Sequence, residues 1–424
     1  MIASILFGVF GLGVLVGIAW LASLQRKAVQ WRMVAAGIGL QLAFAIIVIL
    51  VPGGREFFEL ISSVFVKVID FALTGAAFIF GDLARADKFG FVFAFQVLPT
   101  IIFFASLMSV LYHLGIMQKV VQGMAWVMLK ILNVSGAESL SVAANVFVGQ
   151  TEAPLVVRPY IARMTESELF CMMVGGMATI AGAVLAAYIA MLGGTDDAQR
   201  LFYARHLLAA SVMAAPATIV IAKILRPEVD ESLTKGTVSL HIERTAGNVI
   251  EAAANGASDG VRLALNVGGM LLAFLALIAM IDYPLGWLGQ VTGLEAATGH
   301  ALSLSSILGF VLAPLAWVIG VPWPDAMTVG GLIGEKVIAN EFVAYSHLNE
   351  IKTTLSPHAL LISTYALCGF ANFSSIAIQI GGIGGLAPER RADIARLGLR
   401  AVLGGTLATM MTATIAGVLT SMTY

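Results

Sequence analysis

Polar and acidic side chains interrupt two apolar stretches of this sequence. In the first, Gln150, Thr151 and Glu152 are consecutive, and each would cost free energy in apolar surroundings unless water or a partner met it. In the second, Asn340 precedes Glu341, again with apolar residues on both sides. A carboxylate beside an amide in each stretch predicts two parts of a polar binding site within an apolar protein.

The composition indicates that the apolar surroundings are a membrane. Of the 424 residues, 59% are hydrophobic and 12% are charged, whereas about 25% are charged in soluble domains. The net charge of -1 argues against a nucleic-acid partner, because binding nucleic acid requires a basic face. Cys171 and Cys368 both lie in apolar runs and support neither a disulfide framework nor a cysteine metal site.

Eight segments approach the length of about 20 apolar residues that a membrane-spanning helix needs. The basic loop 25–32 contains no acidic residue, so the positive-inside rule places it in the cytoplasm and both termini outside. A retained first span, not a cleaved signal peptide, is expected because no basic residue precedes the first apolar run. The predicted spans are 2–23, 33–52, 90–114, 168–193, 205–225, 262–283, 358–381 and 397–421.

Four other segments are too polar or too interrupted for spans. Segments 55–80 and 115–133 mix apolar residues with charges, which favours helices lying along the membrane interface. Segment 226–260 is predicted as a charged cytoplasmic connection. Segment 286–321 is predicted as an outer interfacial helix with its return, broken at Pro314 and, just beyond, at Pro322 and Pro324.

The two polar stretches are predicted to be tips of helical hairpins. Hairpin 136–165 enters from the cytoplasm and hairpin 326–354 from outside, since their arms are too short to cross the bilayer. Opposite the tips, 178–182 and 369–375 have the composition of unwound helix. The sequence thus predicts an all-α polytopic membrane protein with eight transmembrane helices, two opposed re-entrant hairpins and an inverted repeat, an arrangement that places a substrate at the membrane midplane.

The segment from Gly334 to Tyr345, Gly-x-Lys-x-x-x-Asn-Glu-Phe-Val-Ala-Tyr, resembles the signature of the concentrative nucleoside transporter family. The tip Gly149–Pro154 and the segment Cys368–Asn372 are similar to that family as well. The resemblance implies a bacterial-type, homotrimeric protein of the inner membrane, in which a transport domain moves like an elevator against a scaffold.

Four parts of the chain follow from the resemblance. Residues 1–114 would form scaffold spans one to three, and 115–225 the first transport-domain repeat, with an interfacial helix, the first hairpin and spans four and five. Residues 226–283 would hold the cytoplasmic connection and scaffold span six. Residues 284–424 would form the second repeat, with the outer interfacial helix, the second hairpin and spans seven and eight.

The resemblance also implies roles for individual residues. Carried over by position, the nucleobase falls to Gln150, Thr151 and Glu152, and the ribose to Glu341, Asn372 and Ser375, with Phe370 against the ligand rings. The sodium site would comprise Asn145, Val148, Thr179 and Ile180, mostly through backbone carbonyls. The family position at Thr179 is more often Ser, although a Thr hydroxyl can also be a ligand.

We therefore expect cation-coupled symport of nucleosides such as uridine, with sodium as the coupling ion and no other cofactor. Proton coupling is the alternative, and a passive channel is a further one. An intramembrane hydrolase using Glu152 or Glu341 as general base is disfavoured because no His-Glu pair or Ser-His arrangement accompanies either. Neither tip carries an Arg, so nucleotides are disfavoured. Preference between purines and pyrimidines stays open.

Overall fold

The computed structural model describes residues 2–236, 246–298 and 301–422. Within these ranges the regular structure is helical, and the isolated bridge between Ser135 and Lys235 is the only β pairing. The prediction of an all-α membrane protein is confirmed.

Sixteen helices of ten residues or more make up the described part of the chain. Shorter helices lie at Ala86–Phe89, Phe93–Gln96, Arg158–Ile161 and Leu294–Thr298, with 3-10 turns at Arg26–Ala28, Gly81–Ala84, Ala153–Val157 and Pro388–Arg390. The long helices are α1 (Ile2–Leu21), α2 (Trp31–Ile49), α3 (Pro52–Phe80), α4 (Leu98–His113), α5 (Ile116–Leu132), α6 (Gly136–Asn145), α7 (Glu166–Ala178), α8 (Gly182–Gly193), α9 (Asp197–Leu225), α10 (Val249–Val291), α11 (Leu304–Val318), α12 (Trp323–Ile338), α13 (Glu341–Ile351), α14 (Pro357–Ala366), α15 (Phe373–Leu386) and α16 (Arg391–Thr420).

Helix α3 with the turn after it is long and apolar enough to cross a membrane by length and composition, because its charges lie before Phe71 and the rest of the helix is uncharged. The placement of 55–80 along the membrane interface stays a prediction. One sequence prediction about these helices was wrong. The predicted break at Pro314 is absent, since Pro314 lies inside α11. The chain turns at Gly320, where φ is +110°, and at Pro322, which is one of the predicted breaks.

The helices differ sharply in how much of their surface the protein itself covers. In the apolar windows of α7–α8 and α9, 89% of residues are buried, whereas in α1 and α10 the shares are 22% and 17%. Helices α4 and α10 pack closely, because Gly256 and Gly260 leave space for the backbone of α4 at Ala105 and Ile102. The central helices therefore form the protein interior, and the apolar faces of the outer helices are available to lipid.

The segment that contains the first tip begins and ends at one end of the helix bundle. Ser135 pairs with Lys235, while the Thr165 hydroxyl donates to Glu228 at 2.8 Å, so both ends of this segment contact the same connection after α9. The amide of Leu24, in the basic loop, donates to the Leu225 carbonyl at 2.9 Å. The first tip segment and the loop predicted to be cytoplasmic thus share one end of the bundle.

The segment that contains the second tip begins and ends at the opposite end. The Ser356 hydroxyl donates to Asp325 at 2.5 Å and joins the start of α12 to the start of α14. Lys352 donates to the carbonyl of Leu192, near the end of α8, at 2.6 Å. The two tip segments therefore approach the interior from opposite ends of the bundle, as an inverted repeat requires.

Candidate functional site

The first tip inserts Gln150 between α7 and α15. Its Nε2 donates to the Ser375 hydroxyl at 3.0 Å, and its Oε1 accepts from Gln379 Nε2 at 3.1 Å. Gln379 also donates to the carbonyl of Met173 at 2.9 Å. A Cβ atom at Gly176 would lie 2.7 Å from Gln150 Cβ, so this close approach requires glycine.

The second tip places Glu341 at the start of α13. Asn340 caps this helix by accepting the amide of Val343 at 2.9 Å, which fixes the backbone next to the carboxylate. Glu341 is 4% exposed, and its two oxygens accept separate hydrogen bonds, from the Tyr188 hydroxyl at 3.1 Å and from Asn372 Nδ2 at 3.0 Å. The buried carboxylate therefore has polar partners from α8 and from the second helix break.

The second break joins the two tips. Asn372 caps α15 by accepting the amide of Ser375 at 2.8 Å while it donates to Glu341. The helix is interrupted between Ala366 and Phe373, near the predicted break. One continuous hydrogen-bonded network, called the tip network below, consists of Gln379, Gln150, Ser375, Asn372, Glu341 and Tyr188.

Three predicted substrate residues lie outside the tip network. Glu152 is exposed and accepts from the neighbouring Thr151 hydroxyl at 2.9 Å. The two carboxylates therefore differ in burial, because the first tip turns Gln150 inward and leaves Glu152 exposed. Phe370 is half-buried, and its amide donates to the Thr179 carbonyl at 3.2 Å, which joins the two helix breaks.

The predicted ion residues gather where α6 and α7 end. The Gly182 amide donates to the Phe147 carbonyl at 2.9 Å, and a Cβ at Gly175 would lie 3.4 Å from Asn145 Nδ2. The Thr179 hydroxyl donates to the Gly175 carbonyl at 2.8 Å. Ile180 is buried and Val148 is half-buried. The sequence-predicted set is thus brought together around two helix C-termini.

Two buried oxygens at this cluster lack a partner. Asn145 Nδ2 donates to the Ser141 carbonyl, but Asn145 Oδ1 and the Ser141 hydroxyl have no hydrogen-bond partner within the described ranges. In the same ranges no cluster of three or more His, Cys, Asp or Glu side chains could hold a metal ion. A set of neutral oxygens at helix ends suits a hard monovalent cation.

Sequence reasoning missed three buried polar residues of this region: Tyr188, Gln379 and Lys336. Tyr188 and Gln379 are isolated polar side chains within apolar helices, and Lys336 follows Glu335 in α12; a buried polar side chain demands a partner, so each could have been noticed. The partner of each residue could not be predicted from the sequence, because it depends on which face of each helix turns toward the tips.

The helical bundle, with opposed tips that meet at buried polar residues, is the architecture of a multi-pass membrane transporter. Family models match three parts of the chain: "Na+ dependent nucleoside transporter N-terminus" at 10–83, "Nucleoside recognition" at 94–195 and "Na+ dependent nucleoside transporter C-terminus" at 206–417. The chain belongs to the concentrative nucleoside transporter family, and it is a transporter rather than an enzyme.

Named relatives cover almost the whole chain. The nucleoside permease NupC of Helicobacter pylori is 44% identical, covering 98% of this chain and 98% of its own. Sodium/nucleoside cotransporter 1 of Mus musculus is 40% identical over 96% of this chain, which spans 63% of that protein. The uncharacterized transporter YutK of Bacillus subtilis is 47% identical, covering 98% and 99%.

Solved structures of CNTnw have the same fold. Its inward-facing substrate-bound state superposes with a TM-score of 0.89 at 46% identity, covering 98% of this chain and 99% of that one. An outward-facing state of a CNTnw variant gives a TM-score of 0.88 at 45% identity, covering 99% and 98%.

Proposed function

We propose that this protein imports nucleosides by symport with sodium. The observation that carries the proposal is the tip network, because it joins both tips and one helix break through buried donors and acceptors. Asn372 and Ser375 link Gln150 of the first tip to Glu341 of the second. A small uncharged ligand with many hydroxyl and amide groups could replace these mutual hydrogen bonds with bonds of its own.

The network matches a nucleoside in its chemistry. Glu341 is the acceptor for ribose hydroxyls, since a hydrogen bond to an ionised carboxylate is stronger than one between neutral groups. Asn372 and Ser375 complete the ribose contacts in this proposal, and Phe370 lies against the rings. Gln150 offers both a donor and an acceptor to the edge of the base.

The two remaining predicted base contacts, Thr151 and Glu152, lie at the edge of the proposed binding site. Thr151 and the exposed Glu152 lie beside Gln150 at the same tip and would meet the base from its solvent side. This arrangement keeps one buried carboxylate, rather than two, against the ligand. A phosphate would face that carboxylate with no Arg at either tip, so nucleotides are poor substrates.

Sodium fits the cluster at the first tip. Asn145 Oδ1 supplies a buried acceptor, and the carbonyls of Val148, Thr179 and Ile180, with the Thr179 hydroxyl, complete the proposed ligand set. A cation here would hold the first tip against the first helix break. Because the Thr179 carbonyl also accepts the Phe370 amide, the ion would stabilise the second break from which ribose contacts come.

Transport by an elevator movement is supported by the inward-facing and outward-facing states solved for CNTnw. Here α4 and α10 would form the centre of the scaffold, and the two tip segments with α7–α9 and α14–α16 the moving body. We further propose a homotrimer in the bacterial inner membrane with both termini outside, and the two tip segments as re-entrant hairpins.

Uptake into proteoliposomes tests the function. We expect radiolabelled uridine to accumulate above its external concentration when a sodium gradient is imposed, and to equilibrate without accumulation when choline replaces sodium. Accumulation driven by a pH gradient in choline would show that protons, and not sodium ions, are the coupling ion. Equilibration under every gradient would identify a passive channel and refute symport. Competition by unlabelled purine and pyrimidine nucleosides would define the accepted bases.

A further inference from the structure

Lys336 is a fully buried cation that no substrate or ion role yet explains. It lies in the last turn of α12, and its Nζ donates to the Ala366 carbonyl at 2.8 Å and to the Thr409 hydroxyl at 2.9 Å. Ala366 is the last residue of α14. The carbonyls that end a helix lack partners within the helix and carry partial negative charge. The ammonium group therefore lies where the end of α14 approaches the end of α12.

The first repeat contains the same electrostatic arrangement without a lysine. There α6 ends at Asn145 and α7 ends at Ala178, and the two ends approach each other at the first helix break. Neither 136–157 nor 166–193 contains a Lys or Arg. Asn145 Oδ1 is buried with no partner in the described part of the chain. Two helix C-termini converge in each repeat, but only the second supplies its own positive charge.

We propose that the Lys336 ammonium is a fixed cation that takes, in the second repeat, the place that the coupling ion takes in the first. This inference rests on the proposed sodium site at Asn145 and Thr179. It makes Lys336 a positioning residue: its charge holds the second tip against α14 and α16 at all times. The first tip has no such tether, so it is the one held in place by sodium.

Two consequences follow from this arrangement. First, one sodium ion accompanies each nucleoside, because the repeat-related position is already filled by a covalently attached charge. Second, removal of the charge leaves a vacancy lined by the Ala366 carbonyl and the Thr409 hydroxyl, a polar site into which a small cation can enter. The charge of Lys336, and not only its hydrogen bonds, is required for high-affinity nucleoside binding.

The test compares Lys336→Ala and Lys336→Gln with the parent protein in nanodiscs. Uridine affinity is measured by titration calorimetry across a range of sodium concentrations, with and without propylammonium. We expect both variants to lose at least tenfold in affinity at a sodium concentration that saturates the parent. Propylammonium should recover part of the affinity of Lys336→Ala and leave the parent unchanged. Gln retains N–H donors without charge, so parent-like affinity in Lys336→Gln would overturn the proposal.

Two control variants separate charge from packing. Thr409→Val removes one acceptor but keeps the ammonium, and it should retain the sodium dependence of the parent. Lys352→Ala removes another lysine close to the same hairpin, which donates to the Leu192 carbonyl, and should show no response to propylammonium. A loss of affinity in Lys336→Ala that propylammonium does not reverse, in protein that unfolds at the parent temperature, would reduce Lys336 to a packing role and refute the inference.

The parent alone provides a measurement that needs no variant to fold. The ratio of labelled sodium to labelled uridine taken up by proteoliposomes should be one. A ratio of two would place a second mobile ion in the protein and refute the fixed-cation assignment. Sodium-independent uptake by the parent would instead refute the proposed function itself, so the two failures are distinguishable.

Discussion

Replacement of Glu341 by Gln is the sharpest perturbation of the proposed ribose contact. Glu341 accepts from Tyr188 at one oxygen and from Asn372 at the other. A Gln side chain can satisfy both neighbours by accepting from Asn372 and donating to Tyr188, so the tip should keep its shape. What it loses is the negative charge and one of the two acceptor oxygens that we propose for the ribose.

The size of the effect follows from those two losses. Hydrogen bonds to a charged group contribute about 1.5–3 kcal/mol and neutral ones about 0.5–1.5 kcal/mol. One ribose bond lost and a second one weakened therefore cost about 2–4 kcal/mol, or roughly 30- to 700-fold in affinity. Titration calorimetry of Glu341→Gln with uridine measures this loss, and the thermal unfolding temperature checks that the protein remains folded.

The ligand provides the decisive control. If Glu341 binds ribose hydroxyls, 3′-deoxyuridine should bind the parent more weakly than uridine does. The difference in affinity should shrink in Glu341→Gln, because the carboxylate that accepts from the 3′-hydroxyl has been removed. An equal loss for both ligands in Glu341→Gln, with the discrimination of the parent intact, would refute the ribose assignment. The carboxylate would then act on the tip and not on the sugar.

Three further predictions concern the supports of the site. Tyr188→Phe should lower uridine affinity by about two- to tenfold, because the Glu341 side chain loses the hydroxyl that holds it and must be ordered when uridine binds. The thermal unfolding temperature, measured by calorimetry, should stay close to that of the parent. Gly176→Ala should lower uridine affinity more than tenfold because its Cβ would displace the first tip, whereas Gly123→Ala, with nothing within 4 Å, should leave affinity unchanged. Lys223→Met should lower the free energy of unfolding by about 3–5 kcal/mol in chemical denaturation. Lys223 Nζ lies 2.7 Å from Glu138 Oε2, and its loss would leave Glu138 as an unpaired buried charge. A mutant as stable as the parent would contradict this prediction.

The sequence was sufficient for the architecture and for most partners in the network. Apolar run lengths predicted the helical membrane class, and Gly-rich or Asn-rich interruptions predicted both breaks between half-helices. The motif around Glu341 is sufficient by itself to indicate the family. These features are local, and local composition determines where a helix must stop or cannot be exposed to lipid.

The failures concern properties that depend on the whole fold. Glu152 follows Gln150 by two positions, and only the path of the turn decides which of them enters the interior. Pro314 stays inside α11, which packs closely against α12 through Gly309 and Gly330, and that contact between helices cannot be read from the sequence. Tyr188 was overlooked because its hydroxyl gains significance only once α8 turns toward Glu341.

The link between the two helix breaks explains how an ion and a sugar can depend on each other. Thr179 offers its hydroxyl and carbonyl at the proposed ion site, and the same carbonyl accepts the amide of Phe370 beside the proposed ribose contacts. A buried acceptor left without a partner, such as Asn145 Oδ1, costs about 1–3 kcal/mol. If the ion relieves that cost only when the first tip is closed, its differential affinity is roughly 5- to 150-fold, the range typical of coupling between two sites. Coupling of this size needs no large rearrangement near the ligand, because the two sites already share one backbone hydrogen bond.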